Sequence, residues 1–60
     1  MPLINVTLIE GRSEEVIQGF MKKVARTASE ELNAPLESVR VVVQQVPPNH
    51  WAVGDKLKSE

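Results

Sequence analysis

The sequence predicts an α/β fold: a single β-α-β unit with parallel strands plus a short C-terminal hairpin or arm, oligomerising into four-stranded sheets. Three observations lead there. Two short runs with strand patterning flank one long run with helical periodicity. One helix can cover only one face of the sheet that those strands make. The chain is 60 residues long and has no cysteine. A domain of this size buries only about 60% of the surface its unfolded chain exposes, so disulfides, a metal or partner chains commonly supplement it. Disulfides are excluded, and a lone His50 without an acidic cluster holds no metal. Association with further copies remains, and residues 1–60 form one domain of such an assembly.

The first strand is Leu3 to Ile9. Ile4, Val6 and Leu8 share one face by the two-residue period. Asn5 and Thr7 lie on the other, between Leu3 and Ile9, and this mixed face suits contact with another subunit or with water. Glu10-Gly11-Arg12-Ser13 ends the strand. Gly11 permits a tight turn, and Ser13 is a helix N-cap. Glu14 and Glu15 then occupy the first turn, where the helix dipole favours negative charge.

From there Ile17, Phe20, Met21, Val24, Ala28 and Leu32 recur at spacings of three and four, one apolar stripe on a helix of about five turns. Gly19 interrupts it at a cost of about 1 kcal/mol relative to alanine. Asn33 suits the left-handed position that closes a helix, and Pro35 prevents continuation. After the connector Leu36-Glu37-Ser38, the second strand runs from Val39 to Val46. Both of its faces carry valine, so it is expected to be buried on both sides. Pro47-Pro48 ends it. Asn49 to Gly54 forms a hairpin or irregular arm holding the only tryptophan, and Asp55 to Glu60 is a charged tail expected to fray. A helical crossover makes the two strands parallel and right-handed in connection.

Seven basic and eight acidic side chains give a net charge of −1. That balance argues against a nucleic-acid partner, which favours a basic face. No apolar run reaches membrane-spanning length. The N-terminus lacks the pattern of a signal peptide, so a cytoplasmic protein is expected.

Chemistry concentrates at four positions. Pro2 follows the initiator methionine and leads into the first strand. If Met1 is removed, Pro2 becomes the terminus and carries a basic secondary amine. A free α-amino group has a pKa of roughly 7.7–8.0, close to neutrality. Burial or a nearby cation lowers it further, which makes a general base. Arg12 lies at the strand-to-helix turn, where it is either a surface residue or an anion contact. Arg40 stands among valines on the sheet face away from the helix. An arginine there requires a partner or solvent, so it is an intersubunit ion pair or a substrate contact. Trp51 is an oligomer anchor, a pocket wall or both. His50 reads as a solvent-facing neutral imidazole, and Glu10 as a helix-start or intersubunit partner.

Pro2, the runs Leu8-Ile9-Glu10-Gly11-Arg12-Ser13 and Ala34-Pro35-Leu36-Glu37-Ser38-Val39-Arg40-Val41, and His50-Trp51-Ala52-Val53-Gly54 resemble the 4-oxalocrotonate tautomerase family over almost the whole chain. The resemblance implies a β-α-β fold, a hexamer built as a trimer of dimers, and a keto–enol tautomerase that uses no cofactor and no metal. It implies that Pro2 is the base, that Arg12 and Arg40 bind carboxylates and polarise the carbonyl, and that Trp51 lines the pocket where the family normally has phenylalanine. The implied substrate is a small unsaturated carboxylate or dicarboxylate such as 2-hydroxymuconate. Two alternatives stand beside this reading. One keeps the site but hydrates or dehalogenates haloacrylates, or decarboxylates malonate semialdehyde. The other is a non-catalytic subunit of an oligomer.

Overall fold

The chain was analysed as a computed structural model that describes residues 2–60. Met1, whose removal the Pro2 reading requires, lies outside the described residues. Strand β1 spans Leu3–Ile9, helix α1 Glu14–Leu32 and strand β2 Arg40–Val46. Strands β3, Ala52–Val53, and β4, Lys56–Leu57, follow. Short 3-10 turns at Leu36–Ser38 and Pro48–His50 join α1 to β2 and β2 to β3.

β1 and β2 pair in parallel from Leu3↔Arg40 to Ile9↔Val46. Two further bonds extend the ladder at its ends: Arg40 N–H to the Pro2 carbonyl at 2.9 Å, and Glu10 N–H to the Val46 carbonyl at 2.9 Å. β3 and β4 form a separate antiparallel pair. The two strands are therefore parallel, as a helical crossover requires, with the hairpin as a distinct arm.

The helix is closed at both ends by local chemistry. Ser13 Oγ accepts the Val16 N–H at 3.3 Å, and Ser13's carbonyl accepts the Ile17 N–H at 3.2 Å. At the other end Asn33 takes φ 53°, ψ 47°, and its N–H bonds to the Ser29 carbonyl. Ser29 Oγ adds a bond to the Ala34 carbonyl at 2.6 Å. Between the strand and the helix, Gly11 has φ +142°, which side-chain-bearing residues rarely adopt.

The helix covers the sheet face that carries Ile4, Val6 and Leu8 from β1 and Val41 and Val43 from β2, all half-buried. Ile17, at 5% exposure, is the one buried hydrophobic among the described residues. Met21, Val24 and Ala28 from the predicted stripe are half-buried, whereas Phe20 (40%) and Leu32 (62%) remain exposed. They sit on the margins of the stripe, beyond the width of a two-stranded sheet. β2 is covered on one face only: Val42 is 43% exposed on the side away from the helix. β2 also begins at Arg40, because Val39 still closes the preceding turn through its N–H to the Leu36 carbonyl at 3.1 Å.

The tail is a second correction. Instead of fraying, Lys56–Leu57 pairs with Ala52–Val53. Lys58 N–H reaches the Trp51 carbonyl at 2.8 Å, and Glu60 N–H reaches the Leu57 carbonyl at 3.1 Å. The two-residue loop Gly54-Asp55, with Gly54 at φ +65°, closes this hairpin.

The whole is a slab of 42 × 25 × 13 Å with a radius of gyration of 14.3 Å. A compact domain of this length would have a radius of about 10 Å. Two layers and a projecting arm account for the difference.

Candidate active site

β1 separates the candidate residues into two groups. Pro2 precedes its first residue and Arg12 follows its last by three positions. Seven residues at about 3.3 Å each set the two strand ends roughly 20 Å apart.

At the first end, Pro2 is half-buried and its carbonyl is held by the Arg40 N–H at 2.9 Å. The parallel register that pairs Leu3 with Arg40 imposes this neighbourhood. The Arg40 side chain is exposed, and its Nη1 donates to the Glu37 carbonyl at 2.8 Å. The 3-10 turn of Leu36–Ser38 presents that carbonyl; Ser38 N–H and Oγ both bond to the Pro35 carbonyl, at 3.0 and 2.7 Å. A guanidinium has five N–H donors, so one such anchor leaves others for an anion. Arg40 shares the bare sheet face with Val42 and Gln44, as its place in the alternation requires.

At the other end, Arg12 is exposed, and its Nη1 makes a long bond of 3.4 Å to the Ile9 carbonyl. It borders a cleft of about 220 Å³ whose other walls are Leu8, Val16, Ile17 and Phe20. This cleft includes none of Pro2, Arg40 and Trp51. Trp51 also lies past this end, five residues after Val46, which pairs with Ile9. It is half-buried and extended, at φ −124°, ψ 116°, with its N–H on the Pro48 carbonyl at 3.3 Å. His50 and Glu10 are exposed.

One chain thus brings Pro2 together with Arg40, and places Arg12 and Trp51 beyond the far end of the same sheet. It does not gather all four. Among the described residues no group of three His, Cys, Asp or Glu is placed to hold a metal. No helix among them is long and apolar enough to cross a membrane. Lys56 and Lys58 belong to the hairpin and not to a frayed tail. The signal was there: Gly-Asp between Ala-Val and Lys-Leu is a two-residue hairpin loop.

Comparison with known proteins agrees with this architecture. A family model described as "Tautomerase enzyme" matches residues 2–60. A probable tautomerase of Ralstonia nicotianae is 49% identical over 98% of this chain and 84% of its own length. A 2-hydroxymuconate tautomerase of Pseudomonas putida is 35% identical over 100% of this chain and 95% of its own. The solved heterohexamer 4-oxalocrotonate tautomerase of Chloroflexus aurantiacus superposes with a TM-score of 0.95 at 37% identity, covering 100% of this chain and 97% of that one. With its β-α-β unit, its C-terminal hairpin and this full-length similarity, the chain belongs to the 4-oxalocrotonate tautomerase family of the tautomerase superfamily, a family of isomerases.

Proposed function

We propose that the protein is a keto–enol tautomerase for 2-hydroxymuconate-like unsaturated 2-hydroxy and 2-oxo acids, with Pro2 as general base once Met1 is removed. The supporting observation is the backbone bond that ties Pro2 to Arg40 at one end of the sheet. It joins the backbone of Pro2, whose terminal amine would have a near-neutral pKa once Met1 is removed, to that of Arg40, a permanently cationic residue.

Neutral Pro2 takes the proton from the 2-hydroxyl oxygen of the dienol. The resulting prolinium delivers it to a carbon of the conjugated chain, so no proton is lost or gained overall. Between the two transfers the substrate is a dienolate with charge on the oxygen. Arg40 stabilises that charge, the kind of contribution that is usually the largest in catalysis. Its bond to the Glu37 carbonyl fixes the guanidinium before substrate arrives. Arg12 binds the distal carboxylate, where paired N–H donors fix orientation. Trp51 forms an apolar wall. Positive charge and burial both disfavour prolinium, which keeps the base partly deprotonated at neutral pH.

Because Arg12 and Trp51 lie beyond the opposite end of the sheet from Pro2, the complete site takes them from a second copy. A hexamer arranged as a trimer of dimers meets that need, and the Chloroflexus neighbour is itself described as a heterohexamer. The test is an ultraviolet assay of 2-hydroxymuconate ketonisation with protein whose first residue has been verified by intact mass. Turnover by the Pro2 form and its loss in the form that keeps Met1 is the expected result. Equal activity of the two forms would remove Pro2 from the role of base.

A further inference from the structure

The arm that carries Trp51 also carries two lysines, and its register fixes where they stand. Ala52 pairs with Leu57 and Val53 with Lys56. The bond from Lys58 N–H to the Trp51 carbonyl at 2.8 Å continues the same ladder by one step. Trp51 is extended, so the alternation of faces reaches it. Residues directly opposite in an antiparallel pair share a face, with Cβ atoms about 4.5–5.5 Å apart. One face of the arm therefore presents Trp51, Val53, Lys56 and Lys58, and the other Ala52 and Leu57. The charged face is the one with the indole.

We propose that Lys58, held opposite Trp51 in the arm's ladder, is a second cationic contact for the distal carboxylate of the substrate and a determinant of preference for dicarboxylates. This rests on the reading above that Trp51 walls the substrate pocket. An ammonium across from the pocket wall adds a charge-assisted bond to one substrate carboxylate, beside the contact from Arg12. Lys56, one pair further along the same face, adds positive potential without reaching the indole's partner position. Lys58 is exposed, so exchanging its side chain leaves the packing of the chain untouched.

Trp51 is the only tryptophan, so its fluorescence reports on this wall alone. The probes are trans,trans-muconate, a dienedioate with no transferable hydroxyl proton, and sorbate, its trans,trans counterpart with one carboxylate. Each is titrated into the processed wild type, Lys58→Gln and Lys58→Arg, with 2-hydroxymuconate turnover measured on the same samples. The expected result is a muconate Kd about tenfold weaker in Lys58→Gln, the size of one charge-assisted contact. Lys58→Arg restores it, sorbate affinity changes less than about twofold, and the loss in turnover falls on KM rather than kcat.

Equal weakening of both probes would make Lys58 a structural neighbour of Trp51 and overturn the proposal. So would an unchanged muconate Kd in Lys58→Gln, or failure of Lys58→Arg to restore it. Trp51 emission that stays fixed while muconate inhibits turnover would overturn it as well, leaving Pro2 as base intact. A processed wild type that neither turns over 2-hydroxymuconate nor binds muconate would overturn the parent reading and this one together.

Discussion

Pro2 and Arg40 are neighbours because of one hydrogen bond at the start of a parallel ladder. The roles proposed for them would separate kinetically. Pro2→Ala keeps a terminal amine but loses the ring, and activity is expected to fall about a hundredfold, the lower range of general-base contributions. The helix signal in circular dichroism should be unchanged. The wild-type rate should rise with pH through one ionisation between about pH 6 and 8, as prolinium gives up its proton. A flat profile across that window would contradict the scheme. Arg40→Ala should lower kcat by about 10²-fold, because its contact strengthens as oxyanion charge develops. Arg12→Ala should raise KM for dicarboxylates about tenfold and leave monoacids nearly unaffected. The type of each residue was legible in the sequence. Which end of the sheet each occupies followed from strand order, but the anchoring of the Arg40 guanidinium by Glu37 did not, since a carbonyl gives no sequence signal.

The elements were legible wherever the local rule and the fold agreed. Leu3–Ile9 and Glu14–Leu32 carry clean periodicities and good caps, and both formed as the pattern requires. Ser13→Ala should destabilise the helix by about 1 kcal/mol, read as a lower denaturation midpoint, since Ser13 Oγ holds the Val16 N–H. Gly19→Ala should do the reverse, by about 0.5–1 kcal/mol. Gly19 is helical, and a Cβ built there meets nothing within 4 Å. A fall in stability for Gly19→Ala would show that another copy packs on that spot. The tail was misread because charge density in Asp55 to Glu60 outweighed a two-residue loop signal. Backbone pairing won, since in a hairpin the turn type and loop length fix the register.

The slab as a whole is short of interior. Ile17 is its one buried hydrophobic among the described residues, while Leu3, Val16, Val42, Val53 and Leu57 stay exposed. Valine on both faces of β2 marked a strand meant for burial on two sides, and the single chain supplies one side only. Cover of the second face by another copy would link folding to association, and the melting temperature should then rise with protein concentration. Differential scanning calorimetry over a hundredfold concentration range tests this; a constant midpoint together with a monomeric sedimentation coefficient would refute it.

The roughly 20 Å between Pro2 and the far strand end has one more outcome. Subunits crippled at opposite ends should rescue one another. Pro2→Ala chains and Arg12→Ala chains, unfolded together and refolded as mixed particles, would draw the base from one parent and the carboxylate clamp from the other. With random assortment, about a quarter of the sites would receive both intact halves. At low dicarboxylate concentration the mixture would turn over about threefold faster than the Arg12→Ala parent and far faster than the Pro2→Ala parent, whereas halves belonging to a single polypeptide could never be reunited by shuffling.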